Sequence, residues 1–273
     1  TGIGGISSLG SDWLAVRARL AEYRNAVRFM PDWTSYEGLN TALGAPITDF
    51  VVPAHYTRRQ LRSMGRVSKL AVSATENALA QAGLLHNPLL QSGRAGVSYG
   101  SSAGSTDAVA EFGQMLINKS LDGLNATSYV RMMSHTAAVN IGVFFGLTGR
   151  VIPTSTACVA GSQGIGYAYE AIRYGKQDIM VAGGGEELCP TQAAVFDTLY
   201  ATSTMNEHPE KTPRPYDRDR DGLVLGEGAC TFVLEEYEHA KARGANIIAE
   251  LVGFASNSDG SHVTRPSRVT MAR

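Results

Sequence analysis

Residues 151–175, VIPTSTACVAGSQGIGYAYEAIRYG, decide the fold. Val151 to Thr156 is β-branched and marked by Pro153, which suits a short strand. It runs straight into the small residues Ala157, Ala160 and Gly161 around Cys158. Gly161 to Tyr174 then has the spacing of a helix, closed by Gly175. Beyond it, Asp178-Ile179-Met180-Val181-Ala182 reads as a second buried strand that stops at Gly183-Gly184-Gly185. Strand, sharp turn, helix, strand is the repeating unit of an α/β protein with mostly parallel strands.

The same alternation extends outward. Ala95 to Tyr99 is an apolar strand ending in Gly100, and Asp107 to Leu116 and His135 to Leu147 have helical spacing. Later come a strand near Leu223 to Leu234, a helix from Glu235 to Arg243 and a strand from Ile247 to Phe254. The opening Thr1-Gly2-Ile3-Gly4-Gly5 reads as the turn after a strand. Glu250 to Ser256 echoes that opening, a strand followed by a glycine turn and small residues. A duplicated architecture would restart there, dividing the chain into 1–245 and the beginning of a second half at 246–273.

Composition narrows the classes. Of 273 residues, 44% are hydrophobic and 18% charged, ample for a sizeable core. Lys and Arg number 24 against 25 Asp and Glu, which argues against a nucleic-acid partner. The three cysteines show no paired spacing, so neither a disulfide framework nor a zinc site is expected, and a reducing cytoplasm is. The most apolar stretch, Val139 to Leu147, is too short and glycine-broken to span a membrane. No GxGxxG follows a strand with a suitably spaced acidic residue, which sets aside a nucleotide-binding domain.

Cys158 stands where a strand hands over to a helix. Unpaired N–H groups and the helix dipole at such a position favour thiolate over thiol. The small neighbours leave room for a thioester, and the same N–H groups can hold the oxyanion of a tetrahedral intermediate. A buried, inert cysteine fits the pattern equally well. Cys189 and Cys230 lack this context and read as core residues. Arg58, Arg62, Arg66 and Lys69 recur at helical spacing opposite Leu61, Met64, Val67 and Leu70. They form either a solvated basic face or a docking stripe for an acidic partner.

Thr156-Ala157-Cys158 before a glycine-bearing helix resembles the nucleophile motif of β-ketoacyl-acyl-carrier-protein synthases. Arg214 to Ala229, RPYDRDRDGLVLGEGA, resembles a second signature of their elongating branch, and it continues in register through Leu234 to Ala240. Val181 to Glu186 and Gly146 to Gly149 fit as well. The likeness covers nearly the whole chain; initiating synthases and chalcone-synthase relatives use a similar cysteine turn but not the Arg214 block, which also disfavours thiolase proper.

The resemblance implies a thiolase-like layered αβαβα fold, here the N-terminal half plus the start of the C-terminal half. It implies a homodimer and a cytoplasmic enzyme of fatty acid or polyketide chain elongation. Cys158 is then the catalytic nucleophile, accepting an acyl group from the phosphopantetheine of an acyl carrier protein. Decarboxylative condensation with malonyl-carrier protein follows, with no metal and no bound cofactor. A non-condensing chain-length partner subunit is the alternative, disfavoured by retention of Cys158. The family's two histidines and lysine come from its second half, and none of those motifs is present here. A chain without them is expected to bind acyl groups poorly and not to condense them. Ala103, Met132, Met133, Leu188, Gln192 and Phe196 match acyl-pocket positions, against plain core packing. Ala103 would deepen the pocket, and Leu188 and Gln192 would shorten or reshape it. Arg59 and Arg62 match carrier-docking positions, and Asp259, His262 and Thr264 fall on the mobile entrance loop.

Overall fold

The computed structural model describes residues 1–263 and 265–272; Thr264 lies outside the described residues. The chain begins β1 (Gly2–Ser7), α1 (Trp13–Ala21), β2 (Arg28–Phe29), β3 (Leu43–Ala45), α2 (Arg58–Leu61) and α3 (Arg66–Gln81). It continues β4 (Ala95–Gly100), α4 (Thr106–Asn118), α5 (Ala126–Met132), α6 (Thr136–Phe145), β5 (Val151–Thr154) and α7 (Ala160–Arg173). It closes with β6 (Ile179–Glu186), α8 (Pro190–Asp197), β7 (Leu225–Gly226), β8 (Gly228–Glu235), α9 (Tyr237–Ala242) and α10 (Arg268–Met271).

Five strands form one sheet in the order β1-β8-β6-β4-β5, and β2-β3-β7 make a small second one. β4 is parallel to both β5 and β6, while β8 is antiparallel to β6 and β1. The sheet is therefore mixed rather than mostly parallel. A parallel partner needs a crossover that carries the chain back to the starting end. Here Gly228 enters β8 opposite Glu186, where β6 finishes, so β8 runs backward along it.

The central strands are buried on both faces, and β4 is buried throughout. α3 and α6 cover one face, over a core including Leu70, Leu79, Val97, Ile141 and Val181. α7 covers the other through Ala168 and Ala171 against Met180 and Ala182, with Ile152 and Leu234 alongside. Three layers, helix on sheet on helix, result.

β1 corrects the expected N-terminal turn. Its glycines are there for close packing: a Cβ on Gly2 would fall on the carbonyl oxygen of Ala78, and one on Gly4 on that of Ala74. α3 answers with alanine at 71, 74 and 78, and Ala82 caps its end, so helix and strand backbones lie nearly in contact. The Gly183-Gly184-Gly185 run likewise does not stop β6 but belongs to it. The single strand expected near 223–234 is two, β7 in the small sheet and β8 in the large one.

Residues 247–254 form no strand. They cross α7, where Tyr169 donates to the Val252 carbonyl at 3.3 Å and Phe254 lies edge-on to Tyr167, 6.2 Å between centroids. Apolar content alone does not make a strand. A ladder needs a neighbouring sheet edge, and a helix offers none.

The Gly4→Ala variant is expected to lose about 3 kcal/mol of stability, because the overpacked backbone of α3 has nowhere to move. A urea midpoint equal to that of the parent would show that the helix can withdraw.

Candidate active site

β5 ends at Thr154, and six residues later, at Ala160, the chain has turned into α7. Ala157 sits at φ 51°, in the left-handed region that costs a residue with a Cβ. Cys158 follows it within the 3-10 turn Ala157–Val159, which leads directly into α7. Thr154 Oγ1 pins the turn by donating to the Ala160 carbonyl at 2.7 Å. The cysteine therefore stands at the N-terminal end of a helix, as the sequence implied.

What brings this turn onto the sheet is the absence of side chains. A Cβ on Gly100 would lie 2.5 Å from the Ala160 carbonyl carbon, and one on Gly184 would lie 2.8 Å from the Gly161 Cα. A Cβ on Gly164 would meet the Gly183 oxygen at 2.8 Å. The ends of β4 and β6 thus touch the helix start backbone to backbone. Cys158, exposed, faces a cavity of about 540 Å³.

Ala103, Gln192 and Phe196 line that cavity with Cys158. Met132, Met133 and Leu188 do not. Met132 and Met133 end α5, where the backbone of both crowds the Cβ-free side of Gly104. Leu188 points toward the small sheet, against Gly44 of β3. Other wall residues had no functional role assigned from sequence. Ile165 and Phe232 close the apolar side, and Cys230 is exposed on the wall rather than in the core. Cys230 and Phe232 share the face of β8 directed toward α7, which the helix leaves partly open. Burial nevertheless pushes the Cys230 thiol above its ordinary value. Cys189 is buried.

Three glutamates at this end of the sheet hold the walls. Glu186 accepts from the Ser102 N–H at 2.6 Å and the Ser101 hydroxyl at 3.2 Å, gripping the loop that carries Ala103. Burial raises its carboxyl above the usual range in spite of those donors. Glu187 is buried and receives Val67 N–H at 3.2 Å, Thr106 N–H at 2.7 Å and Ser105 hydroxyl at 2.7 Å. One carboxylate thereby caps the N-termini of α3 and α4, whose own cap positions supply no side-chain bond. Glu227 accepts from Arg66 at 2.6 and 2.7 Å, from the Ile47 N–H at 2.7 Å and from the Leu188 N–H at 3.3 Å. Burial opposes its ionisation, but Arg66 and the two N–H groups outweigh burial and hold it below the usual range.

Arg66 is thus a structural cation and not part of a free basic stripe. The stripe is also broken, because α2 and α3 separate at Gly65, where the Ser105 side chain fills the place of a Cβ. Arg58, Arg59 and Arg62 remain exposed on and just after α2. Asp259 and His262 lie on an exposed segment away from the cavity wall. There Asp259 accepts from the Ser267 N–H at 2.8 Å, and His262 Nδ1 from the Arg265 N–H at 3.0 Å.

The family model of the β-ketoacyl synthase N-terminal domain matches residues 1–240. The chain belongs to the β-ketoacyl synthase family. Over 98% of its length it is 38% identical to 3-oxoacyl-[acyl-carrier-protein] synthase 2 of Vibrio cholerae, covering 64% of that protein. It is 36% identical to 3-oxoacyl-[acyl-carrier-protein] synthase 1 of Escherichia coli, again over 98% of the chain and 66% of the relative. A crystal structure of a β-ketoacyl synthase from Burkholderia phymatum superposes with a TM-score of 0.98 at 57% identity, over 100% of this chain and 67% of that one. The chain thus spans about two thirds of the length of the relatives it matches. The likeness makes the fold thiolase-like, and the three layers described here are the N-terminal part of it.

Glu227 sets a pH dependence. A carboxylate held below its unfolded value of about 4.3 contributes stability above that pH, and the contribution is lost as pH falls through the folded value. Glu227→Gln is expected to cost about 2–3 kcal/mol at pH 7, less than a fully buried pair because Arg66 is half exposed. The difference from the parent should shrink below about pH 4 in denaturant titrations. A gap that stays constant with pH would contradict this assignment.

Proposed function

We propose that this chain carries the acyl-accepting part of a 3-oxoacyl-[acyl-carrier-protein] synthase. The Cys158 sulfur attacks the carbonyl of an acyl thioester, the first-turn N–H groups hold the resulting oxyanion, and the phosphopantetheine thiol leaves. The acyl-enzyme is then condensed with malonyl-carrier protein, which loses carbon dioxide, by the complete protein. The observation that carries this reading is the exposed Cys158 at a helix start on the wall of a largely apolar cavity. Ala103, Gln192 and Phe196 are its acyl-facing residues, with Ile165 and Phe232 beside them. Each methylene buried there contributes about 0.8 kcal/mol, enough to discriminate chain lengths. A chain-length partner subunit is the weaker reading, since it has no use for a nucleophile.

The proposed partner is an acyl carrier protein, docking at Arg59 and Arg62. A type II polyketide ketosynthase solved in complex with its acyl-carrier protein is 28% identical to this chain, with a TM-score of 0.77 over 96% of it and 63% of that chain. Homodimerisation is also proposed. β5 is an edge strand with exposed Val151, and Val139 and Val143 of α6 are exposed nearby, so a second copy can extend the sheet. Unpaired cysteines suit a reducing cytoplasm, and among the described residues no helix is long and apolar enough to cross a membrane.

Incubation with an acyl thioester is expected to add one acyl mass to the intact protein. The adduct should vanish in Cys158→Ala and survive in Cys230→Ala. Acylation that persists without Cys158 would overturn the reading. Arg62→Glu is expected to raise the apparent KM for acyl-carrier protein about three- to tenfold in the same assay, leaving that for a small thioester unchanged. An equal effect on both substrates would remove Arg62 from the docking surface.

A further inference from the structure

Gln192 breaks the pattern of the wall it stands in. α8 presents Gln192, Val195 and Phe196 to the Cys158 cavity, the i, i+3, i+4 set that shares one face of a helix. Val195 and Phe196 are apolar, and so are Ala103, Ile165 and Phe232 elsewhere in the lining. A wall fitted only to an unsubstituted alkyl chain would be apolar at 192 as well. Methionine has the same unbranched reach, but glutamine adds an amide donor and a carbonyl acceptor.

The other carboxyl and amide groups nearby are already engaged. Asp197, buried on a different face of α8, accepts from the N–H and Nδ2 of Asn40 at 2.9 Å each, from the Thr41 N–H at 3.1 Å and from the Thr202 hydroxyl at 2.6 Å. Glu186, in the lining with Gln192, is taken up by Ser101 and Ser102. The Gln192 backbone N–H donates to Cys189 Sγ at 3.4 Å and so closes the first turn of α8. Its half-buried carboxamide makes no hydrogen bond among the described residues. An alkyl chain entering the cavity would strip water from that carboxamide and leave it unpaired, which costs binding energy. A chain that carries a hydroxyl avoids the cost. The hydroxyl both donates and accepts, so it matches either end of the carboxamide, whereas a chain carbonyl can use only the donor end.

We infer that Gln192 selects acyl groups bearing a hydroxyl on the chain, over plain alkyl chains of the same length, for transfer to Cys158. This rests on the acyl-transfer reading and names a substrate class for it.

The test follows acylation of Cys158 by intact mass against time, using N-acetylcysteamine thioesters of octanoate and of the regioisomeric hydroxyoctanoates. At least one hydroxyoctanoyl thioester is expected to react about tenfold faster than octanoyl at equal, sub-saturating concentration, the effect of one net hydrogen bond. Gln192→Met keeps the reach of the side chain and removes both hydrogen-bonding groups, so the ratio should fall below about twofold. Phe196→Leu reshapes the same helix face without touching the carboxamide and should keep the preference. Each ratio is read within one variant, so a change in its folded fraction cancels. A parent that takes no hydroxyoctanoyl group faster than octanoyl would overturn the inference. A preference that survives Gln192→Met, or one lost equally in Phe196→Leu, would also sink it. Octanoyl transfer itself is the separate arm. If octanoyl labels Cys158 while the hydroxyl preference is missing, the inference fails and the acyl-transfer reading stands. If no thioester labels Cys158, the acyl-transfer reading falls and takes the inference with it.

Discussion

Backbone meets backbone at Gly100, Gly161 and Gly184, and the rest of the site depends on that contact. A Cβ on Gly100 or Gly184 would stand where a main-chain atom of the helix start, Ala160 or Gly161, now lies. With glycine, the ends of β4 and β6 and the start of α7 come together closely enough to leave Cys158 on the rim of a cavity rather than over a packed core. The left-handed Ala157 is the local cost of turning the chain so sharply. It is tolerated because Thr154 and the sheet fix both sides of the turn.

Around that contact the protein uses buried carboxylates where many proteins use local caps. Glu187 closes two helix N-termini at once, and Glu227 ties α3, through Arg66, to the segment carrying Leu225 and Gly228. A buried carboxylate is tolerable only with several donors, and each of these has them. Burial raises the carboxyl of Glu186, which has donors but no cation beside it, while Arg66 and two N–H groups hold that of Glu227 lowered against burial. The consequence is functional. The Ala103 loop, the Leu188 segment and the helix starts behind them are thereby hydrogen-bonded to carboxylates at this end of the sheet. The same logic explains why Arg66, which shares a helical spacing with Arg62, does a different job.

Much of this was legible in the chain. The strand–turn–helix around Cys158 needed only β-branched residues, small residues and helical spacing, and those are local properties. The signature at Arg214 to Ala229 was visible as a string, and so was the family. The misreadings share one cause. Gly2 and Gly4 look like a turn because glycine permits turns, but here glycine serves a close approach to α3 that lies some seventy residues away in sequence. Residues 247–254 are apolar enough for a strand but meet a helix instead of a sheet edge. Cys230 alternates correctly along β8, yet the face it occupies is only partly covered.

The sequence by itself determined the strand–turn–helix around Cys158 and the family, because both are written in neighbouring residues. Tertiary structure alone decided which of Ala103, Met132, Met133, Leu188, Gln192 and Phe196 share a cavity with Cys158. It also decided that Arg66 is held by the Glu227 carboxylate while Arg58, Arg59 and Arg62 stay exposed. The reason is physical. Spacing fixes the face of a helix or strand on which a side chain lies, but its partners are set by packing between segments far apart in the chain.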